Sequence, residues 1–219
     1  MSRLTDWIQG IQQLGLEINT VYDIGACVGD WSNEIRDEAC PDAEFILFEA
    51  NPAYNKILSD SSFRYFNTVL SNPGREYVEF YNGTNTGDSY YKENTEVYDD
   101  QSSIRLTCST LDAIIKEYNL PIPNFIKLDT QGSELDILAG AESIIHQVDL
   151  MYVECPIIKY NLGAPGIQDY LDYFKSRDFV PVDLLETHQN ENILLQVDIM
   201  FMKKETKERI LTPTRQVRI

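Results

Sequence analysis

Short runs of apolar and β-branched residues alternate along this chain with segments in which apolar residues recur at helical spacing. The strand-like runs lie at residues 20–24, 44–48, 63–70, 76–81, 104–109, 124–129, 149–154, 179–184 and 196–202. Buried strands separated by helices are typical of a parallel sheet that is covered on both faces. The alternation therefore predicts an α/β fold.

The end of the chain departs from a purely parallel sheet. The predicted strands 179–184 and 196–202 follow one another without room for a crossover helix, so the two must be antiparallel. We therefore predict a doubly wound, mostly parallel sheet with one antiparallel strand near the C-terminus. Residues 63–70 and 76–81 flank a turn-forming cluster at 71–74, and we expect them to form a hairpin.

The length of 219 residues predicts a single domain, because a chain of about 200 residues can bury most of its surface around one core. We place this domain at residues 1–204, beginning with an amphipathic helix at 4–15. Residues 205–219 form a basic tail, which we expect to be a solvated end.

One internal segment differs in composition from the rest. Residues 82–103 are rich in Gly, Asn, Thr, Asp and Tyr and show no apolar period, so they predict a long loop. Two interpretations stay open for it. The loop is either a lid whose tyrosines (Tyr90, Tyr91 and Tyr98) stack on a ligand, or a disordered segment.

Charge and cysteine usage limit the partners. The chain has 18 Lys and Arg residues and 35 Asp and Glu residues, a formal net charge of −17. Such a charge disfavours nucleic acid and anionic lipid surfaces and favours neutral or cationic substrates. No segment is apolar enough for membrane insertion. The four cysteines are too far apart for a metal site. They are interpreted as reduced thiols, which predicts a cytoplasmic location; they are Cys27, Cys40, Cys108 and Cys155.

Acidic residues close three of the predicted strands. Asp23, Glu49 and Asp129 stand at or directly after strand ends, and ligands of open parallel sheets bind beyond the carboxyl ends of the strands. A charged residue at the end of a buried strand needs a partner. We expect a ligand at this edge of the sheet.

The turn after the first strand reads D-I-G-A-C-V-G from Asp23 to Gly29. Gly25 permits a sharp turn, and Gly29 permits close approach of a ligand or a helix. A dinucleotide-binding turn would have a third glycine where Cys27 stands. Asp23 would repel a pyrophosphate and favour an ammonium or a sulfonium group. The turn therefore suits a cofactor without phosphates.

Glu49 is placed to accept both hydroxyl groups of a ribose at the end of the second strand. A nucleoside that carries a positive charge and no phosphate is S-adenosylmethionine. The ends of the first two strands together indicate this cofactor.

The strongest motif lies in the second half of the chain. Residues 125–134 read F-I-K-L-D-T-Q-G-S-E, and residues 138–141 read L-A-G-A. Further blocks read V-Y-D-I-G-A at 21–26, F-E-A-N-P at 48–52 and Y-V-E at 152–154. From about residue 20 to residue 202 the chain resembles the FkbM family of class I S-adenosylmethionine-dependent methyltransferases, whose signature is K-x-D-x-x-G-x-E followed by L-x-G-A.

The resemblance implies a Rossmann-like, seven-stranded sheet and O-methylation of a hydroxyl on a sugar, a polysaccharide or a secondary metabolite. The partner would be a small-molecule or saccharide acceptor. Cys27 departs from the Asn that is usual in the family, so one polar contact to the cofactor's amino-acid end is absent. The residues expected to bind the cofactor are Asp23, Gly25, Ala26, Gly29, Glu49, Asn51, Ser71 and Asp129.

Methyl transfer to a hydroxyl requires alignment of the acceptor oxygen and removal of its proton. The catalytic candidates are Asp129, Glu154 and His188. Asp129 and Glu154 could hold Mg²⁺ against the acceptor, while Asp129 could instead bind the cofactor's ammonium or act alone as a base. His188 is either a base or a surface histidine. Glu134 either lines the site or stabilises the start of a helix.

Other functions are disfavoured but stay open. An NAD-type oxidoreductase lacks the glycine that Cys27 replaces, and a non-catalytic module that binds S-adenosylmethionine or a sugar would retain the same strand ends. An N-P-A-Y run at 51–54 resembles a motif of amino-group methyltransferases but follows the second strand, not the fourth. The sequence leaves the acceptor and the oligomeric state open, a homo-oligomer included.

Overall fold

A computed structural model describes residues 2–82, 87–94 and 102–211 of the chain. The helices are α1 Arg3–Gln13, α2 Asp30–Glu38, α3 Asn55–Ser59, α4 Leu111–Tyr118, α5 Glu134–Ala139, α6 Ile167–Ser176 and α7 Lys204–Leu211. The strands are β1 Thr20–Ile24, β2 Glu44–Glu49, β3 Arg64–Asn67, β4 Val69–Leu70, β5 Tyr77–Asn82, β6 Ser102–Ser109, β7 Phe125–Leu128, β8 Leu150–Pro156, β9 Phe179–Asn190 and β10 Ile193–Lys203.

Seven strands form the central sheet in the order β3-β2-β1-β7-β8-β10-β9. Strand β10 is antiparallel to both of its neighbours, and the other pairs are parallel. This confirms the predicted Rossmann-like, doubly wound sheet with one antiparallel strand. The carboxyl ends of the parallel strands therefore meet at one edge, where the acidic residues were expected.

The central strands are buried on both faces. Every residue of β1 is buried, and the consecutive residues Val21 and Tyr22 belong to apolar clusters on opposite sides of the sheet. Helix α1 packs into the first cluster through Ile8, and α6 packs into the second through Phe174. This two-sided burial explains the nearly continuous apolar sequence of the strands.

The expected hairpin between residues 63–70 and 76–81 is wrong. The first run is divided at Thr68, whose amide bonds to the carbonyl of Glu49, so that β3 joins the central sheet. Strands β4 and β5 both pair with β6 instead, β4 parallel and β5 antiparallel. The backbone groups that a local hairpin would have paired with each other are instead paired with β6, a strand from much later in the chain.

The ends of the domain also differ from expectation. Helix α1 begins one residue before the predicted span 4–15, capped by Ser2, and ends at Gln13. Part of the predicted basic tail folds as α7, and its Thr206 and Ile210 are buried one helical turn apart. The expected solvated end is therefore wrong for residues 205–211, while residues 212–219 lie outside the described part of the chain. In the described residues, no helix has the length and apolar character needed to cross a bilayer.

Two glycines test the packing of this fold. A Cβ at Gly140, which follows α5, would lie 2.3 Å from the carbonyl oxygen of Ser71, whereas a Cβ at Gly10 in α1 would meet nothing within 4 Å. We expect Gly140→Ala to lower the free energy of unfolding by about 1–3 kcal/mol through overpacking. Gly10→Ala should raise it by about 0.5–1 kcal/mol through helix propensity.

Urea unfolding of the two variants measures both effects. Equal midpoints for Gly140→Ala and the unsubstituted chain would contradict the close approach of α5 to Ser71.

Candidate functional site

A cleft of about 480 Å³ runs along the carboxyl edge of the sheet, from the β2 side to the β9 side. Its volume is in the range of sites for small molecules, about 300–1,000 Å³. The two ends differ in chemistry. The apolar end, on the β2 side, is lined by Phe48, Val69, Leu70, Phe80, Tyr90 and Ile137. The acidic end, on the β9 side, is lined by Asp129, Glu154, Glu186, His188, Gln196 and Asp198.

The turn after β1 approaches the end of β7 very closely. Gly25 has a φ of +80°, and a Cβ at this position would lie 1.9 Å from the carbonyl oxygen of Asp129. The amides of Gly25 and Ala26 both donate to the carbonyl of Phe48, at 2.9 and 3.1 Å. Only glycine fits this position. Gly25 and Ala26, both predicted to bind the cofactor, line the middle of the cleft.

The buried ammonium of Lys127 connects the two turns. Its Nζ lies 3.1 Å from Asp23 Oδ1 and 3.3 Å from Asp129 Oδ2, and it donates to the carbonyl of Gly25 at 2.8 Å. Burial alone would lower the pKa of Lys127, but the two carboxylates raise it above its usual value. Lys127 is therefore charged at neutral pH.

Asp23 lies behind the cleft and does not line it. The residue is fully buried, Ser32 Oγ donates to its Oδ2 at 2.7 Å, and Lys127 faces its Oδ1. We therefore assign this carboxylate to Lys127, in place of the predicted contact with a cofactor. The sequence motif did not distinguish these roles because Lys127 is distant from Asp23 along the chain.

Glu49 presents its carboxylate to the cleft at the end of β2. The amides of Cys27 and Asn51 donate to Oε2 and Oε1, both at 2.7 Å. Burial raises the pKa of Glu49 to about 7, although these two hydrogen bonds and the charge of Lys127 oppose the shift and Asp23 adds to it. Each oxygen retains a second lone pair. The ionised group can therefore accept two hydrogen bonds from a ligand.

Three further predicted cofactor residues support the wall of the cleft without lining it. Gly29 precedes α2 with a φ of +85°, and its amide donates to the carbonyl of Ala26. Asn51 Nδ2 donates to Asp88 Oδ2 at 2.6 Å, and Ser71 Oγ lies 3.3 Å from the hydroxyl of Tyr90. Because these three residues are buried, they are better placed to support the wall of the cleft than to contact a ligand.

Residues 87–94, which we call the strap, form part of the cleft wall. The hydroxyls of Tyr90 and Tyr91 donate to Asp136 Oδ2 at 3.1 and 2.9 Å, and Ser89 Oγ donates to the carbonyl of Thr130. Tyr90 lines the apolar end. This position favours the ligand-contact interpretation of the long loop for its described part. Tyr98 lies outside the described residues.

Asp129 and Glu154 form a carboxyl pair. Burial, followed by the charge of Asp129, raises the pKa of Glu154 well above its usual value. Burial would also raise the pKa of Asp129, but Lys127 and hydrogen bonds from Glu154 and Gln131 lower it to about 2. The amide of Gln131 bridges the pair, because its Nε2 donates to Asp129 Oδ1 at 3.3 Å and to Glu154 Oε2 at 2.9 Å. A hydrogen-bond donor between the two carboxyl groups gives no support to the predicted Mg²⁺ site.

A second group of side chains was not recognised as a group from the sequence. Potential ligand atoms of Glu186, His188 and Asp198 lie within 4.8 Å of one another. Asp198 pairs with Glu154 on one side and with Glu186 on the other. Tyr152 donates to Asp198 Oδ2 at 3.0 Å, and His188 Nε2 lies 3.4 Å from the same atom. The signal that the sequence offered for this group was Asp198, a charged residue within the mostly apolar run 196–202.

Glu134 holds the turn between β7 and α5. Its buried carboxylate accepts from the amides of Thr130 and Gly132 and from the hydroxyl of Tyr170. Burial raises the pKa of Glu134, although these hydrogen bonds oppose the shift. Of the two interpretations of Glu134, these contacts favour the structural one.

Comparisons with known proteins agree with this architecture. The hexuronic acid methyltransferase AglP of Haloferax volcanii is 23% identical over 147 residues, which cover 63% of this chain and 56% of that protein. The crystal structure of methyltransferase FkbM from Methylobacillus flagellatus KT matches with a TM-score of 0.51 and 15% identity, over 83% of this chain and 43% of that one. This chain thus spans about half the length of these relatives.

The structural match shows a common fold. The sequence profile of a family, the methyltransferase FkbM domain, matches residues 23–181, which is more than half of the chain. The chain therefore belongs to the FkbM methyltransferase family.

Proposed function

We propose that this protein is an S-adenosylmethionine-dependent O-methyltransferase that acts on a hydroxyl of a saccharide or another small molecule. The observation that carries the proposal is the carboxylate of Glu49, held by two backbone amides and turned toward a cleft of suitable volume. Family membership supports methyl transfer. The name of the archaeal relative supports a saccharide acceptor.

The residues of the cleft fit this cofactor. The apolar end suits an adenine, with Tyr90 offering its ring, and Glu49 suits the two ribose hydroxyls. The close turn at Gly25 suits the amino-acid end, where the ionised Asp129 attracts an ammonium. S-adenosylmethionine supplies an electrophilic methyl group on its sulfonium. A pyrophosphate would meet Asp30 and Glu49 instead, which disfavours an NAD-type cofactor.

His188 is the best base among the three catalytic candidates. Lys127 and hydrogen bonds lower the pKa of Asp129 to about 2, which makes it a weak proton acceptor, and Gln131 Nε2 already donates to both oxygens of Glu154. His188 lies in the acidic end beside Asp198, a carboxylate that can orient its ring. In this role the imidazole of His188 would accept the proton that the acceptor hydroxyl loses when it is methylated. Mg²⁺ has no assigned place in this scheme.

The role of Glu49 predicts how cofactor binding depends on pH. Ionised Glu49 can accept from both ribose hydroxyls, whereas protonation turns one of its oxygens into a donor and removes the charge that strengthens both hydrogen bonds. Burial raises the pKa of Glu49 to about 7. Lowering the pH from 8 to 6 reduces the ionised fraction by about tenfold, so the Kd for S-adenosylhomocysteine should rise about tenfold. Glu49→Gln should bind weakly at both pH values.

Titration calorimetry at the two pH values makes this measurement. Glu34→Gln, an exposed change on α2, is the matched control and should keep the pH dependence. A Kd that is the same at pH 6 and pH 8 in the unsubstituted chain would contradict the assignment of Glu49.

The proposed base predicts a selective loss of turnover. His188→Gln should lower kcat about 100-fold or more, because removal of a general base costs at least that factor. The Kd for S-adenosylhomocysteine should not change, since His188 lies at the acceptor side of the cleft. The measurement is transfer of a labelled methyl group to a panel of hydroxylated saccharides.

His146→Gln is the matched control, because His146 is exposed and lies outside the residues that line the cleft. If His188→Gln retains the full rate with an acceptor that the unsubstituted chain methylates, another group is the base.

A further inference from the structure

The strap is anchored to the rest of the domain toward both of its ends. Ser89 and Tyr81 exchange two backbone hydrogen bonds, at 2.7 and 3.1 Å. Toward the other end, the amide of Asn94 donates to the carbonyl of Tyr160 at 2.8 Å. These bonds fix the backbone of the strap, while the directions of the two tyrosine side chains between them depend on other contacts.

One carboxylate on α5 receives both of these tyrosines. The hydroxyls of Tyr90 and Tyr91 donate to the same oxygen, Asp136 Oδ2, at 3.1 and 2.9 Å. Consecutive residues of an extended strand point to opposite sides, and the shared acceptor is reached here because the chain bends at both tyrosines. Burial, followed by the charge of Asp136, raises the pKa of both hydroxyls. Both therefore remain protonated donors at neutral pH.

Asp136 is itself held in place. The next residue of α5, Ile137, is buried in the core. Asn72 Nδ2 donates to Asp136 Oδ1 at 2.8 Å, and a guanidinium nitrogen of Arg75 lies 3.2 Å from Oδ2. The same guanidinium lies 4.9 Å from the centre of the Tyr90 ring, within the range of a cation–π interaction. The carboxylate and the guanidinium together determine where this ring lies.

The ring of Tyr90 belongs to the apolar end of the cleft. Tyr90 lines the cleft and packs against the apolar cluster that includes Val69 and Phe80. Its partners Asp136 and Arg75 lie outside the residues that line the cleft. A substitution of either partner therefore reaches a ligand in the cleft through the ring of Tyr90.

We propose that Asp136, together with Arg75, is a positioning residue that sets the affinity of the cleft for the adenine of the cofactor, because it holds the ring of Tyr90 in place before the ligand binds. This inference rests on the proposed function. Ordering a side chain during binding costs free energy, so a ring that is already held gives a tighter complex. The effect is selective, since it concerns the base and leaves the ribose and the amino-acid end unaffected.

The test compares two ligands that differ at the base. S-adenosylhomocysteine is titrated by calorimetry, and S-ribosylhomocysteine, which lacks the adenine and should bind more weakly, is titrated by ligand-observed NMR. Asp136→Ala should raise the Kd for S-adenosylhomocysteine about tenfold, a loss in the range of a base–aromatic contact, and should change the Kd for S-ribosylhomocysteine by less than about twofold.

Further variants separate positioning from folding. Tyr91→Phe keeps the ring and removes one hydroxyl outside the cleft lining, so it should fold even if Asp136→Ala does not. It should raise the Kd for S-adenosylhomocysteine by a smaller factor and leave the Kd for S-ribosylhomocysteine unchanged. Asp172→Asn, an exposed change on α6, is the matched control and should alter neither Kd.

Two results would overturn the inference while leaving the proposed function intact. One is an equal loss of affinity for both ligands in Asp136→Ala and Tyr91→Phe, because these residues would then support the cleft as a whole. The other is an unchanged Kd for S-adenosylhomocysteine in both variants. Failure of the proposed function would look different, since S-adenosylhomocysteine would not bind to the unsubstituted chain at all.

Discussion

The buried ammonium of Lys127 is the interaction on which the rest of the site depends. It lies on β7 and compensates two carboxylates, Asp23 on the neighbouring strand β1 and Asp129 directly after β7. Removing one partner of a buried ion pair leaves an uncompensated charge, at a cost of about 3–5 kcal/mol. The same ammonium bonds to the carbonyl of Gly25. The two turns that form the middle of the cleft are therefore held by one charge.

Sequence periodicity was sufficient for the central sheet but not for the smaller one. Alternation of buried runs with helices determines a doubly wound sheet, because each strand must be covered on both faces. The partner of β5 was wrongly predicted because β5 pairs with β6, which is distant along the chain; Tyr77, for example, lies opposite Thr107. Helix α7 was missed because Thr206 and Ile210 give only two buried positions in an otherwise charged segment.

The site was only partly visible in the sequence for a similar reason. Glu49 and Asp129 end parallel strands, so a local pattern was enough to place them at the cleft. Glu186 and Asp198 reach it only through the antiparallel register of β9 and β10, which contains a shift next to Asp198. No local pattern encodes such a register, and the contribution of Glu186 and Asp198 to the acidic end was therefore recognised only in the structure.

The cleft thus combines an apolar end, a central turn held by Lys127 and an acidic end. The most direct test of this account is a crystal structure of the chain with S-adenosylhomocysteine. We predict the adenine beside Tyr90, the ribose hydroxyls within hydrogen-bonding distance of the Glu49 carboxylate, and the sulfur facing the acidic end. A ligand bound outside the cleft, or a ribose that does not contact Glu49, would contradict the account.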